Sequence, residues 1–251
     1  MRKYFVIISM LLMIFSGNVQ AQNRKPAVRK SAPTATAGKP KAANATPRKK
    51  SVTKLCPNDN HPHAIDLGLP SGTKWACCNV GAAIPEEYGD YFAHAEIRTK
   101  KSFILQNYKH HNGSNSYDSG FHYVGYDIRG KEEYDAAKAV MGKKWIMPSG
   151  ALYNELLGNC IYEWVEFNGV SGVQLTGPNG NAIFFPAGGF RSGTNAVELN
   201  EYGRYWSGTS IGCGLAFGVC TDIQMSKENY RVSECEARRI HGETIRAIAD
   251  F

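Results

Sequence analysis

Thiols and imidazoles supply most of the reactive chemistry open to this 251-residue chain, which has seven cysteines and seven histidines. Cys56, Cys77, Cys78, Cys160, Cys213, Cys220 and Cys235 are odd in number, so at least one thiol is free or pairs between chains. Cys213 and Cys220 are the disulfide candidates, because a bridge between them would close one hairpin. Cys77 and Cys78 are neighbours and point to opposite faces if they lie on a strand, so at most one is expected in the core. No Cys-x-x-Cys pair occurs, which argues against a thiolate metal site. His61-Pro62-His63 and His110-His111 with His122 offer transition-metal donors. All of them lie in segments that read as irregular and solvated, so neither a metal nor a cofactor is expected. A nucleophilic thiol needs a basic neighbour that lowers its pKa, and Cys213 is flanked by Gly212 and Gly214. No catalytic residue is expected.

The compartment follows from the N-terminus. Arg2 and Lys3 precede an apolar run from Tyr4 to Phe15, and Val19 and Ala21 sit where a signal peptidase needs small residues. Residues 1–21 therefore read as a signal peptide cleaved after Ala21. The apolar run is shorter than the roughly 20 residues needed to span a bilayer, and no later segment offers an integral membrane span after processing. The mature chain is expected to be exported, whether periplasmic, on the outer surface or secreted. In such a compartment the cysteines favour disulfides.

Residues 22–54 contain Arg24, Lys25, Arg29, Lys30, Lys39, Lys41, Arg48, Lys49, Lys50 and Lys54, with no acid. Pro, Ala, Thr and Ser fill most of the rest, so the segment reads as a disordered basic tether. Of the chain's 29 Lys and Arg, two lie in residues 1–21 and ten in the tether, leaving 17 against all 22 acids, or about −5, for residues 55–251. The tether suits an anionic envelope polymer or serves as a soluble spacer. Nucleic acid is excluded as a partner, because the chain is exported and its folded part is acidic.

Residues 55–251 suit a single domain. Ala64 to Val80 reads as a hairpin about Pro70-Ser71-Gly72, and Gly89 to Ala95 as a short aromatic strand. Lys100 to Gly130 has no clear period and reads as a long surface loop. Lys131 to Gly142 predicts one helix, with Glu132 and Glu133 in its first turn. Ser149 to Gly158 predicts a second, capped by Ser149. Strands then follow at Tyr162–Phe167, Val173–Thr176, Ala182–Phe185, Gly203–Ser207, Leu215–Met225, Tyr230–Ser233 and Glu243–Ala249. Pro178-Asn179-Gly180 reads as a tight turn. The expected class is α+β, with two short helices packed on a twisted antiparallel sheet.

The segments DLGLPSGTKWACCNVGA, PEEYGDYFA, WIMPS, NGVSGVQLTGPNGNAIFFPAGG and YWSGT, in this order around the Asp135-Ala136-Ala137 helix, resemble the Fibrobacter succinogenes major paralogous domain. That family is abundant in exported proteins of Bacteroidetes and Fibrobacteres, and the resemblance runs from about Ala64 to the C-terminus. It implies a C-type-lectin-like fold, similar to the sulfatase-modifying group, in which the N- and C-terminal strands pair. Trp75, Trp145, Pro148, Trp206 and Arg246 fall on the family's signature positions, and we read them as architectural, since large aromatics on strands are usually core. The chain departs from the family at His94-Ala95-Glu96, where Trp-Gly-Glu is usual, at Ile146 in place of Arg, and through most of Gly208–Gly242.

In lectin-like domains that last region builds much of the ligand surface. Tyr205, Asn229, Tyr230 and Arg231 are therefore the expected exposed contacts for a glycan or protein ligand of unknown identity. Calcium-dependent sugar binding is not implied, because Gly177 precedes Pro178-Asn179 where calcium lectins carry a carboxylate or its amide. Three functions follow. The first is a non-catalytic recognition or surface module. The second is an envelope-associated structural protein held by its basic tether. The third is a formylglycine-generating-like redox enzyme using a late thiol.

Overall fold

Ala64–Asp66 (β1) and Lys74–Ala76 (β2) pair antiparallel, with Ile65 opposite Trp75. Their connection turns at Gly72 (φ +71°), whose N–H donates to the Leu69 carbonyl at 2.9 Å. The computed structural model describes residues 61–115, 119–210 and 218–250. The expected signal peptide and tether, Cys56 and Cys213 lie outside the described residues.

Two α-helices follow. Ala136–Met141 (α1) starts later than the sequence predicts, because Asp135 takes the cap position ahead of it. Its carboxylate accepts from Lys138 N at 3.0 Å, Gly130 N at 2.7 Å and Met147 N at 3.0 Å. That one side chain joins loop, helix and the next strand, which a glutamate in an exposed turn cannot match. Burial raises the Asp135 pKa, and the backbone N–H donors oppose the rise. Trp145–Ile146 (β3) follows. Gly150–Asn159 (α2) is capped by Ser149 as expected, and buries Tyr153, Leu156 and Leu157.

Ile161–Phe167 (β4), Val170–Thr176 (β5) and Ala182–Pro186 (β6) form a three-stranded antiparallel sheet in unbroken register. Asn168 (φ +50°) and Gly169 (φ +81°) make the two-residue turn between the first two strands. Both dihedrals are positive, as a type I′ turn requires. Phe190–Ser192 (β7) and Asn195–Val197 (β8) add a small hairpin absent from the sequence expectation. Gly203–Trp206 (β9), Val219–Met225 (β10) and Tyr230–Arg238 (β11) make a second three-stranded sheet, with β10 in the centre. Ile248–Ala249 (β12) inserts between β2 and β3, so the sheet order is β1-β2-β12-β3. The rest of the expected Glu243–Ala249 strand makes only isolated bridges, including Glu243 to Phe92. The described residues thus form a mostly-β domain of antiparallel sheets with two α-helices.

Two apolar clusters lie on either side of β2 and β9. Trp75 packs in one and Ala76 in the other; Tyr205 and Trp206 divide in the same way. Both strands are therefore buried on both faces. Trp206 donates its ring N–H to the Phe92 carbonyl at 2.7 Å. Of the signature residues, Trp75, Trp206 and Arg246 are fully buried and Pro148 is buried, whereas Trp145 is only half-buried at the margin of a cluster.

The 100–130 segment is not a surface loop. Phe103, Leu105, Tyr108 and Phe121 form a third cluster with Tyr91, Ala93 and Ile240. Its irregular backbone hid Phe103, Tyr108 and Phe121, which turn into this cluster while Tyr123 and Tyr126 stay exposed.

His94 lies against Trp206, with ring centroids 5.4 Å apart, and neither ring nitrogen has a hydrogen-bond partner. Burial lowers its pKa well below that of a free histidine, helped by the charge of Arg239 and by His110. A histidine kept neutral in the fold gives up stability as pH falls below its unfolded pKa of about 6.5. His94→Phe removes both orphaned nitrogens and keeps the ring contact. It is expected to stabilise the protein by about 1–3 kcal/mol, the usual cost of an unsatisfied buried polar group. The gain should be larger at pH 5 than at pH 8. Urea midpoints at the two pH values measure it, and an equal or negative change at both would refute it.

Candidate functional site

The sequence-predicted contact residues separate. Tyr205 is buried on β9 and donates its hydroxyl to the Pro186 carbonyl at 2.7 Å, so it cannot touch a ligand. The expected ligand surface had included it, but both faces of β9 are covered. Asn229, Tyr230 and Arg231 are exposed near the β10–β11 turn. There the Tyr230 ring lies 5.3 Å from that of Tyr162, and Arg231 Nε donates to Gln224 Oε1 at 3.1 Å.

The thiol expectations also change. Cys77 and Cys78 are both buried, because the chain bends after β2 and the opposite-face rule no longer applies. Cys220 is a free, fully buried thiol, and Cys213, its expected disulfide partner, lies outside the described residues. Burial pushes its pKa well above that of a free thiol, although the Arg239 charge opposes the rise. A protonated, buried sulfur is a poor nucleophile.

Nor do the histidines gather as one group. His110 is buried, with its Nε2 at 2.9 Å from the Ala95 carbonyl. His111 Nε2 lies 3.1 Å from the Ser119 carbonyl. His61 and His63 are half-buried rather than solvated, and they converge on Cys77.

A different surface has the geometry of a site. A cleft of about 440 Å³ is lined by Glu96, Ile97, Arg98, Thr99, Lys100 and Lys109. It shares Thr99 and Lys100 with a second cleft of about 230 Å³, which Lys101, Arg191, Tyr91, Phe103 and Thr194 also line. Five cations therefore border the pair of clefts. The acid among these residues, Glu96, is occupied: it lies 2.7 Å from Lys100 Nζ and accepts from Lys109 N at 2.7 Å.

The third aromatic cluster forms the bed of this surface. Lys100 Nζ stands 5.7 Å from the Phe103 ring centroid and 5.6 Å from that of Tyr108, and the Arg191 guanidinium 4.6 Å from that of Tyr91. Such contacts hold a cation at an apolar surface; Lys100 is also paired with Glu96, whereas the ring beside Arg191 leaves its charge in place. Tyr91 is fixed in turn by its hydroxyl, which donates to the Gly188 carbonyl at 2.6 Å. Its pKa is pushed up to about 12, chiefly by burial, so it stays a neutral donor. Reciprocal backbone bonds between Phe103 and Gly193, at 2.8 and 2.9 Å, dock the β7–β8 hairpin and bring Arg191 beside the 98–101 run.

Part of this was visible in the sequence. Arg98-Thr99-Lys100-Lys101 is a local basic run inside an acidic domain. Arg191 joins it only through the fold. Exposed cations beside threonine hydroxyls suit carboxylates, sulfates or phosphates on a hydroxyl-rich chain.

No known protein family, curated protein or solved structure matches this chain. Among the described residues, no helix is long and apolar enough to cross a membrane.

Proposed function

We propose that this chain is a non-catalytic, exported recognition module whose contact surface is the basic cleft around Lys100, taking an acidic glycan or another anionic polymer segment. We also propose that it has the lectin-like fold of the Fibrobacter succinogenes major paralogous family. Pairing of β12 with β2 and the buried signature residues support that reading. One observation carries the functional proposal: Arg98, Lys101, Lys109 and Arg191 converge around a Lys100 that Glu96 already pairs. The exposed Asn229, Tyr230 and Arg231 are an accessory contact. The basic tether, residues 22–54, would engage the same polyanion and add avidity.

The test is binding of the full mature chain to uronic-acid or sulfated oligosaccharides against neutral ones. Arg98, Lys101 and Lys109 are exposed, so replacing all three with Glu leaves the fold intact. Affinity should fall by more than about tenfold, because like charges now meet. Binding by the parent should weaken steeply with salt. Equal binding of neutral glycans, or a triple variant that binds like the parent, would refute the cleft. If deleting residues 22–54 removes all binding while the triple variant keeps it, the tether-bound structural role replaces this reading.

A further inference from the structure

We infer that His61, His63 and Cys77 form a binding site for a transition-metal ion of the zinc class, independent of the basic cleft. The β1–β2 register sets Ala64 opposite Ala76, and one step outward it sets His63 opposite Cys77. The pairing is direct: Cys77 N donates to the His63 carbonyl at 2.9 Å, and His63 N donates to Cys77 Sγ at 3.1 Å. His61 lies two residues before His63, and their ring centroids are 5.1 Å apart. Three donors from two strand ends are thereby gathered without a Cys-x-x-Cys motif.

Their spacing fits a tetrahedral ion. The three ligand atoms all lie within 4.8 Å of one another. Bond lengths of about 2.0–2.1 Å to nitrogen and 2.3 Å to sulfur make a nitrogen–sulfur tetrahedral edge of about 3.6 Å. His61 Nδ1 stands 3.2 Å from Cys77 Sγ, and His63 Nδ1 stands 3.7 Å from it. Small shifts of half-buried rings would complete the arrangement, with the fourth position left to solvent or another ligand.

The chemistry agrees with the geometry. Imidazole nitrogens and a thiolate are borderline-to-soft donors that select zinc, copper or nickel over calcium and magnesium. Binding converts the Cys77 thiol to thiolate and releases its proton to solvent. A buried thiolate is costly alone, and a divalent cation offsets that cost. The His63 N–H already aimed at Sγ supports the sulfur charge from behind. Cys78 is 3.9 Å from Cys77 through sulfur, but its thiol donates to the Ala82 carbonyl at 3.5 Å. Cys78 is thus a neighbour of the site rather than part of the donor set.

Cobalt(II) is the probe, titrated into the reduced, chelator-stripped full mature chain. A thiolate-to-cobalt charge-transfer band should appear and saturate at one ion per chain, and zinc should abolish it. Cys77→Ser should eliminate the band, and Cys78→Ser should leave it unchanged. His61→Ala and His63→Ala should each weaken binding more than about tenfold, since even the residues behind metal ligands commonly matter that much. These two histidines are half-buried, so their variants decide the matter if Cys77→Ser fails to fold. Absence of the band in the parent, its persistence in Cys77→Ser, or histidine variants with unchanged affinity would overturn the site.

Discussion

Arg246→Ala is expected to lower stability by about 3–5 kcal/mol, the range for leaving buried polar partners uncompensated. The guanidinium is fully buried. It donates to Asn79 Oδ1 at 2.8 Å, to the Ala76 carbonyl at 3.0 Å and to the Phe184 carbonyl at 2.7 Å. It also lies 4.4 Å from the Phe185 ring centroid. Ala76 ends β2 and Phe184 lies in β6, so one side chain fastens two separate sheets. Removing it strands three acceptors and opens a void. Against a typical total of about 5–15 kcal/mol, that loss brings the domain close to unfolding. Arg246→Lys keeps the charge but not the planar fork, so it should recover only part of the loss. Urea unfolding followed by circular dichroism measures both. A change below about 1 kcal/mol for Arg246→Ala would show that the three acceptors find other donors.

Tyr205→Ala should cost about 3–5 kcal/mol, as buried aromatic deletions do. Tyr205→Phe should cost about 1 kcal/mol, because only the hydroxyl is lost. That hydroxyl donates to Pro186 O at 2.7 Å, and the ring meets Phe185 edge-on at 5.0 Å. Tyr230, by contrast, is 42% exposed, and Tyr230→Ala should change stability by less than about 1 kcal/mol. The three melting curves separate core from surface. If Tyr205→Ala melts with the parent and instead alters ligand binding, the side chain faces solvent and the two-cluster description of β9 fails.

What the sequence determined by itself was local. Ser149 caps α2, Asn168-Gly169 makes a tight turn, and Gly72 supplies a positive φ, because each depends on groups only a few residues away. Helix number and the antiparallel character of the strands follow from the same short-range rules. Tertiary structure decided everything that depends on a second layer. Adjacent Tyr205 and Trp206 are both buried because distant segments cover both faces of β9. The aperiodic 100–130 segment contributes core because Phe103, Tyr108 and Phe121 meet Tyr91 and Ile240. Arg191 faces the 98–101 run because a hairpin docks on Phe103. Cys77 meets two histidines because strand register, not sequence spacing, set it opposite His63. Periodicity reports which side of one strand a residue occupies; only the packing of remote chain onto that strand fixes whether the side is wet, dry or a site.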